Sequence, residues 1–204
     1  MSFDLYLGSQ SPRRVDLLTQ QGLRLRQIIQ PIDESVLAGE SATVYTERLA
    51  QEKARAAWQS VVANLWPLKP LLTADTTVVV DGLILGKPCD EAEAKAMLKR
   101  LSGRTHQVVT AVCVILGEGA TMQLKTRVSN SDVTFKVLTE QEIDAYLATN
   151  DAYDKAGSYG IQGRAGVFIQ HISGSFTGVM GLPLFETAQL LAEFGLNLPL
   201  PPSL

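Results

Sequence analysis

Between Leu71 and Val80 the chain runs through ten residues made almost wholly of β-formers, Leu-Leu-Thr-Ala-Asp-Thr-Thr-Val-Val-Val, and the next two residues are Asp81-Gly82. A second apolar run, Leu83-Ile84-Leu85, follows and stops at Gly86. Asp-Gly between two such runs predicts a tight hairpin, because both central residues of the favoured turn need positive φ. A hairpin makes its two strands antiparallel, whereas parallel neighbours need a long crossover that is usually helical. Both signals occur in this chain, so the predicted fold is α/β with a mixed sheet and flanking helices.

The helical signals are spaced between the strands. Leu5 to Leu7 form a short apolar strand, followed by Gly8-Ser9-Gln10-Ser11-Pro12-Arg13-Arg14. Ser11 suits an N-cap and Pro12 the first helical position, where its missing N–H costs nothing. Val15, Leu17 and Leu18 give this helix an apolar side, and Gly22 suits the left-handed position that ends it. A second helix is predicted from about Ser41 to Val62, with Leu49, Ala50, Ala54 and Ala57 on its apolar stripe. Asp90 caps a third helix, to Leu101, with Glu93 in the box position and Gly103 beyond it. Gln107–Leu116 and Thr121–Val137 read as strands about a turn at Gly117-Glu118-Gly119. Thr139-Glu140-Gln141-Glu142 is a capping box opening a helix to about Thr149. Residues Asp151 to Gly166 are predicted as a Gly-rich loop, Val167–Ile172 as a strand and Leu184–Phe194 as the last helix. We expect one domain over residues 1–197 and a Pro-rich tail over 198–204.

Composition removes several classes. With 204 residues, 46% of them hydrophobic and a formal net charge of −3, the chain is neither disordered nor too small to bury a core. A pI near 5.4 argues against a nucleic-acid binder, which would carry a basic excess to neutralise a phosphate backbone. No apolar run approaches the roughly 18 residues of a membrane span. Met1-Ser2-Phe3-Asp4 lacks the cationic and apolar regions of a signal peptide. The two cysteines, Cys89 and Cys113, are spaced like neither a metal knuckle nor a redox pair, and Cys113 reads as a buried free thiol. Together these point to a reduced cytoplasm.

Six places could carry chemistry. Gly8 to Arg14 could bind phosphate, since a helix N-terminus offers free N–H groups and a positive dipole end, and Arg13 can clamp an anion bidentately. The other reading is a capped helix with two solvated arginines. Asp75 sits inside an apolar strand, where a buried carboxylate must be paired or metal-bound; otherwise it lies at the strand's exposed end. Lys53 falls on the apolar stripe of its helix, four residues after Leu49 and four before Ala57, so it either snorkels to solvent or reaches a polar cleft. Asp33-Glu34 is a loop pair that, with Asp75, could supply the hard oxygens Mg²⁺ prefers. Lys87 alone reads as a surface cation. In the loop Asp154-Lys155-Ala156-Gly157-Ser158-Tyr159-Gly160-Ile161-Gln162-Gly163, Lys155 and Gln162 offer a charge and an amide for recognition. His106 and His171 lack partners by spacing and read as structural or surface residues.

Taken in order, Gly8-Ser9-Gln10-Ser11-Pro12-Arg13-Arg14, Glu52-Lys53-Ala54, Ala74-Asp75-Thr76, Gly86-Lys87-Pro88, Asp154-Lys155-Ala156-Gly157 and Gly181-Leu182-Pro183-Leu184 make the chain resemble the Maf family of nucleotide pyrophosphatases, from Leu5 to about Leu196. Arg13, Thr76 and Gln162 match the branch of that family acting on dTTP and UTP, while Gln10 departs from its usual small residue. The resemblance implies an elongated, mixed α/β fold of the Maf/inosine triphosphate pyrophosphatase type, with two lobes around a central cleft and often dimeric. It implies a small-molecule nucleoside triphosphate as substrate, cut between the α- and β-phosphates, and a nucleotide-housekeeping role with a link to arrested division. Asp75 would be the catalytic residue, and Glu34 with Asp75 would hold Mg²⁺ or Mn²⁺. Ser9, Ser11, Arg13, Arg14, Lys53, Thr76, Lys87, Lys155 and Gln162 would bind substrate. The main rival is a non-catalytic nucleotide-binding regulator of septum formation, with a purine-directed inosine triphosphate pyrophosphatase as an enzymatic alternative.

Overall fold

The computed structural model describes residues 3–198, so the expected tail falls outside the described residues except for Leu198. In chain order its elements are β1 (Leu5–Leu7), α1 (Pro12–Gln20), β2 (Leu25–Gln27), α2 (Ala42–Ala63), β3 (Leu71–Val80), β4 (Leu83–Leu85), α3 (Glu91–Leu101), β5 (Thr105–Leu116), β6 (Gln123–Phe135), α4 (Glu140–Leu147), β7 (Ile169–Ser173), α5 (Phe176–Val179) and α6 (Leu184–Glu193), with short 3₁₀ turns between. The strands form one mixed sheet in the order β2-β1-β3-β5-β6-β7, with β4 paired to β3. Among the described residues, no helix is long and apolar enough to cross a membrane. The chain divides into two compact units, and β3, β5 and β6 each contribute residues to both.

The first unit comprises Met1–Asp75, Thr110–Val128 and Gly181–Leu204. β1 lies parallel to both β2 and β3, with Leu5 opposite Leu25 and Tyr6 opposite Leu71. Parallel neighbours require crossovers, and α1 and α2 supply them. Ser41 caps α2, its side chain accepting the Val44 N–H. Ala50, Ala54 and Ala57 bury against Tyr6, Leu71, Ala111 and Cys113, with Trp58 and Val61 completing the cluster. Small side chains let α2 approach the sheet closely enough for Thr73 Oγ1 to donate to the Ala50 carbonyl at 2.6 Å. The three-residue β2, half-exposed or exposed throughout, is an element the sequence pattern did not predict.

The second unit comprises Thr76–Val109 and Ser129–Met180. Its hairpin joins β3 and β4 antiparallel, with φ of 52° at Asp81 and 73° at Gly82, as the Asp-Gly pair predicts. β7 pairs antiparallel with β6 across an irregularity at Thr134/Phe135. Its core gathers Val78, Leu98, Leu101, Phe135, Ile143 and Tyr159. The predicted loop is not a loose one, since Ala152, Gly157, Ser158, Tyr159 and Ala165 are buried. Residues Arg164–Phe168 form a 3₁₀ turn, so β7 begins at Ile169 rather than Val167.

Candidate active site

In the first unit, β3 opens with Leu71, Leu72, Thr73 and Ala74, all fully buried, and this carries Asp75 inward to 8% exposure. A carboxylate so placed needs a counter-charge. Lys53 supplies it from α2, its Nζ lying 2.6 Å from Asp75 Oδ1. Leu49 and Ala57, one turn either side of Lys53, are buried and aim the lysine stem inward rather than along a snorkelling path. The same Nζ stands 2.7 Å from Glu34 Oε1, so one ammonium bridges two carboxylates. Asp33 does otherwise: its Oδ1 accepts from the Ser35 N–H and hydroxyl and closes a local turn.

The loop between β1 and α1 is anchored beside β3. A Cβ on Gly8 would stand 2.6 Å from Thr73 Cγ2, so the close approach this glycine permits is to β3. Ser9 is buried, and its Oγ accepts the Ser11 N–H at 3.2 Å and Arg14 Nη1 at 3.1 Å. Gln10 is exposed. Ser11 occupies the N-cap of α1 without a side-chain cap bond. Arg13 is half-buried on the first turn of α1.

Arg14, read from the sequence either as a solvated side chain or as a substrate contact, is turned onto backbone carbonyls. Its Nε donates to the Gly181 carbonyl at 2.7 Å and its Nη1 to the Ala74 carbonyl at 2.8 Å. Burial holds its pKa below the usual arginine value, opposed by Asp75 and reinforced by the charge of Arg13. The guanidinium fork ties three sequence motifs together at the residue preceding Asp75.

The second unit holds the remaining expected residues. Thr76 is half-buried, while Lys87 and Gln162 are exposed. Lys155, expected to offer its charge for recognition, is ion-paired within its own loop. Its Nζ lies 2.8 Å from Asp151 Oδ1, 2.7 Å from the Asp151 carbonyl and 2.5 Å from Asp154 Oδ1. A Cβ on Gly160 would stand 2.7 Å from Lys155 Cε, so this glycine makes room for the lysine stem. His106 is a core residue, as expected, bonded through Nε2 to Tyr159 Oη at 2.7 Å. Cys113 is buried and free, and burial pushes its thiol up to about 11.

The model that describes the Maf-like protein family matches residues 4–194. This chain belongs to the Maf-like family. Among curated Maf-like relatives, the dTTP/UTP pyrophosphatase of Chromobacterium violaceum is 55% identical over 195 residues, 96% of each chain. The nucleoside triphosphate pyrophosphatase of Haemophilus ducreyi is 52% identical over 193 residues, covering 95% of this chain and 96% of that one. The dTTP/UTP pyrophosphatase of Pasteurella multocida is 50% identical over 200 residues, 96% of this chain and 98% of that one. Among solved structures, the Staphylococcus aureus Ham1 protein aligns over 65% of this chain and 71% of that one, at 15% identity and a TM-score of 0.45, a likeness too slight to build on.

The donors of this Maf-like chain suit a divalent ion carried with a phosphorylated substrate. Glu34 and Asp75 converge on one cationic point, and both offer hard oxygen. Among the described residues no three His, Cys, Asp or Glu side chains gather as a metal cluster. Two carboxylates with substrate phosphates and water are the usual Mg²⁺ set, whereas an all-protein cage is not. Three residues not singled out from the sequence, Tyr45, Arg48 and Glu40, make hydrogen bonds with the segment around Glu34. Their signal was present: Tyr45 precedes Lys53 by two helical turns on one stripe, and Arg48 precedes Glu52 by four residues.

Proposed function

We propose that this chain is a nucleoside triphosphate pyrophosphatase that cuts dTTP and UTP between the α- and β-phosphates, releasing the monophosphate and pyrophosphate. The observation that carries the reading is the single ammonium of Lys53 held between Asp75 and Glu34. A simple anion binder gains nothing from two carboxylates beside its phosphates, whereas a hydrolase uses them to manage water and metal. Full-length relatives at 50–55% identity, named as pyrophosphatases, support the same reading.

Phosphoryl transfer is catalysed mainly by positioning and charge stabilisation. Asp75 orients a water against the α-phosphorus and accepts its proton. The new P–O bond forms as the bond from the α-phosphorus to the bridging oxygen breaks, and pyrophosphate leaves with that oxygen. Arg13, Lys53 and the first amides of α1 offset the charge developing on it. Ser9 Oγ already accepts two N–H bonds, which leaves its O–H to donate to a phosphate oxygen. Ser11, uncommitted as a cap, serves likewise. A divalent ion, Mg²⁺ or Mn²⁺, held by Glu34 and Asp75 would neutralise charge on the phosphate oxygens. Thr76 and Gln162 read the pyrimidine edge, and Lys87 adds phosphate charge. For Lys155 to do the same it must leave Asp151 and Asp154. A role in clearing nucleotide pools belongs to the cytoplasm.

The test is a nucleotide panel with Mn²⁺ and product identification. Monophosphate and pyrophosphate from dTTP and UTP, with slower turnover of purine nucleotides, are the expected products. Release of orthophosphate and diphosphate would contradict cleavage at the α-β bond. Tight nucleotide binding without any turnover would favour a regulator.

A further inference from the structure

Glu34 lies in a segment, residues 28–41, with no regular secondary structure, and its side chain is 52% exposed. Within the segment, Asp33 closes a turn on Ser35 that brackets Glu34, whose carboxylate lies 2.7 Å from Lys53 Nζ. The tie to the rest of the fold comes from the N-terminal half of α2. Tyr45 Oη donates to the Glu34 carbonyl at 2.9 Å. Arg48 Nη2 donates to the next carbonyl, that of Ser35, at 2.9 Å. Arg48 also grips Glu40 bidentately, Nε to Oε1 at 2.6 Å and Nη2 to Oε2 at 2.8 Å. Glu40 Oε2 in turn accepts the Leu37 N–H at 3.1 Å.

This ion pair is well shielded, with side chains 19% exposed for Arg48 and 5% for Glu40. The Arg48 guanidinium also lies 5.6 Å from the centroid of the Tyr45 ring, so the two tethers brace each other. A planar fork contacting carbonyl and carboxylate together fixes orientation as well as position. Lys53 stands two helical turns beyond Tyr45 on the same face, so α2 presents both the loop's anchors and the ammonium that its glutamate must reach. Tyr45 lies close enough to the site for Asp75 and Glu34, after burial, to help hold its phenol above the usual range.

We propose that Tyr45 and Arg48 are positioning residues: they hold the loop of residues 33–40 on α2 so that Glu34 meets Lys53 and Asp75. The inference deepens the pyrophosphatase reading and rests on it for its catalytic consequence. Both act through Glu34, by way of the Glu34 and Ser35 carbonyls.

Two measurements test it. The first is hydrogen exchange of the Leu37 and Glu40 amides in the wild type and in Arg48→Met, with about tenfold faster exchange expected in the variant. Because Arg48→Met leaves Glu40 shielded without its partner, Tyr45→Phe is measured beside it, removing only one hydroxyl. The second is a double-mutant cycle on kcat/KM for dTTP. Arg48→Met should lower kcat/KM about ten- to a hundredfold and Tyr45→Phe about threefold, consistent with misplacing a catalytic group by an ångström or less. In a Glu34→Gln background both losses should shrink to less than about twofold. Unchanged amide exchange in both variants, or losses that multiply fully with Glu34→Gln, would overturn the proposal. If the wild type turned over no nucleotide, the function proposed above would fall, while the exchange measurement would still decide the tether.

Discussion

A buried carboxylate inside an apolar strand persists only while its charge is matched, and for Asp75 the match is Lys53 at 2.6 Å. Asp75→Asn keeps the shape and an oxygen for that ammonium but removes the proton acceptor. We expect kcat for dTTP to fall by about a hundredfold or more, the scale of a lost general base, with thermal unfolding little changed. Turnover near the wild-type value in a steady-state assay would remove Asp75 from the mechanism. Arg14 is the other decisive residue at this scale. Adjacent in sequence, Arg13 and Arg14 look alike, yet successive residues on a helix point about 100° apart, and Arg14 is turned onto the Ala74 and Gly181 carbonyls. Backbone acceptors leave no trace in a side-chain pattern, so this role was not legible in the sequence. The binding of Lys155 by Asp151 and Asp154 was legible in principle, since both aspartates lie within one turn before it. Arg14→Lys keeps the charge and loses the fork, so kcat should fall about tenfold with a smaller change in the KM for dTTP. A rise confined to KM would instead mark Arg14 as a direct phosphate contact.

At the scale of elements, β1 and β3 meet where Gly8 faces Thr73. The threonine cannot swing aside, because it is fully buried and its Oγ1 is bonded to the Ala50 carbonyl at 2.6 Å. Gly8→Ala would drive a methyl to 2.6 Å from Thr73 Cγ2. Such overpacking costs about 1–3 kcal/mol, and a melting curve should show a fall of several degrees. An unshifted melt would mean the strand pair yields freely. This contact joins residues far apart in the chain, and that separates what was legible from what was not. The caps at Asp90 and Thr139 and the Asp81-Gly82 turn are local, and each stands where the residues predict. β2 is three residues of Leu-Arg-Gln without alternation, formed because β1 offers it a parallel edge. α5 is four residues long, too short for any period to show. The segment from Asp151 reads as loop because it is rich in glycine, yet Gly157 at φ 68° donates to the Gly86 carbonyl and packs against Val78. Its burial is a tertiary fact with no periodic signature.

Across the whole molecule, the response to acid turns on a residue outside the proposed chemistry. His106 is 2% exposed, packed edge-on against Phe135 and Tyr159, and burial lowers its pKa from 6.5 to about 4. The folded protein therefore keeps this imidazole neutral where the unfolded chain would protonate it. Between those two values the unfolded state binds more protons, so stability rises with pH and is lost as pH falls from about 6.5 toward about 4. At about 1.4 kcal/mol per unit the loss approaches roughly 3 kcal/mol. The paired carboxylates contribute lower down, since hydrogen bonds to Arg24 and Lys136 bring Asp4 and Glu142 to about 2. The other of the chain's two histidines, His171, is exposed on β7. The upper part of the acid window is thus dominated by one ring. His106→Gln can still bond Tyr159 but cannot titrate there, so its denaturation free energy should change much less between pH 7 and pH 4.5. If wild type and variant lost stability in parallel over that range, the cause would lie in other groups and the ring would have to be charged, or accessible to protons, within the fold.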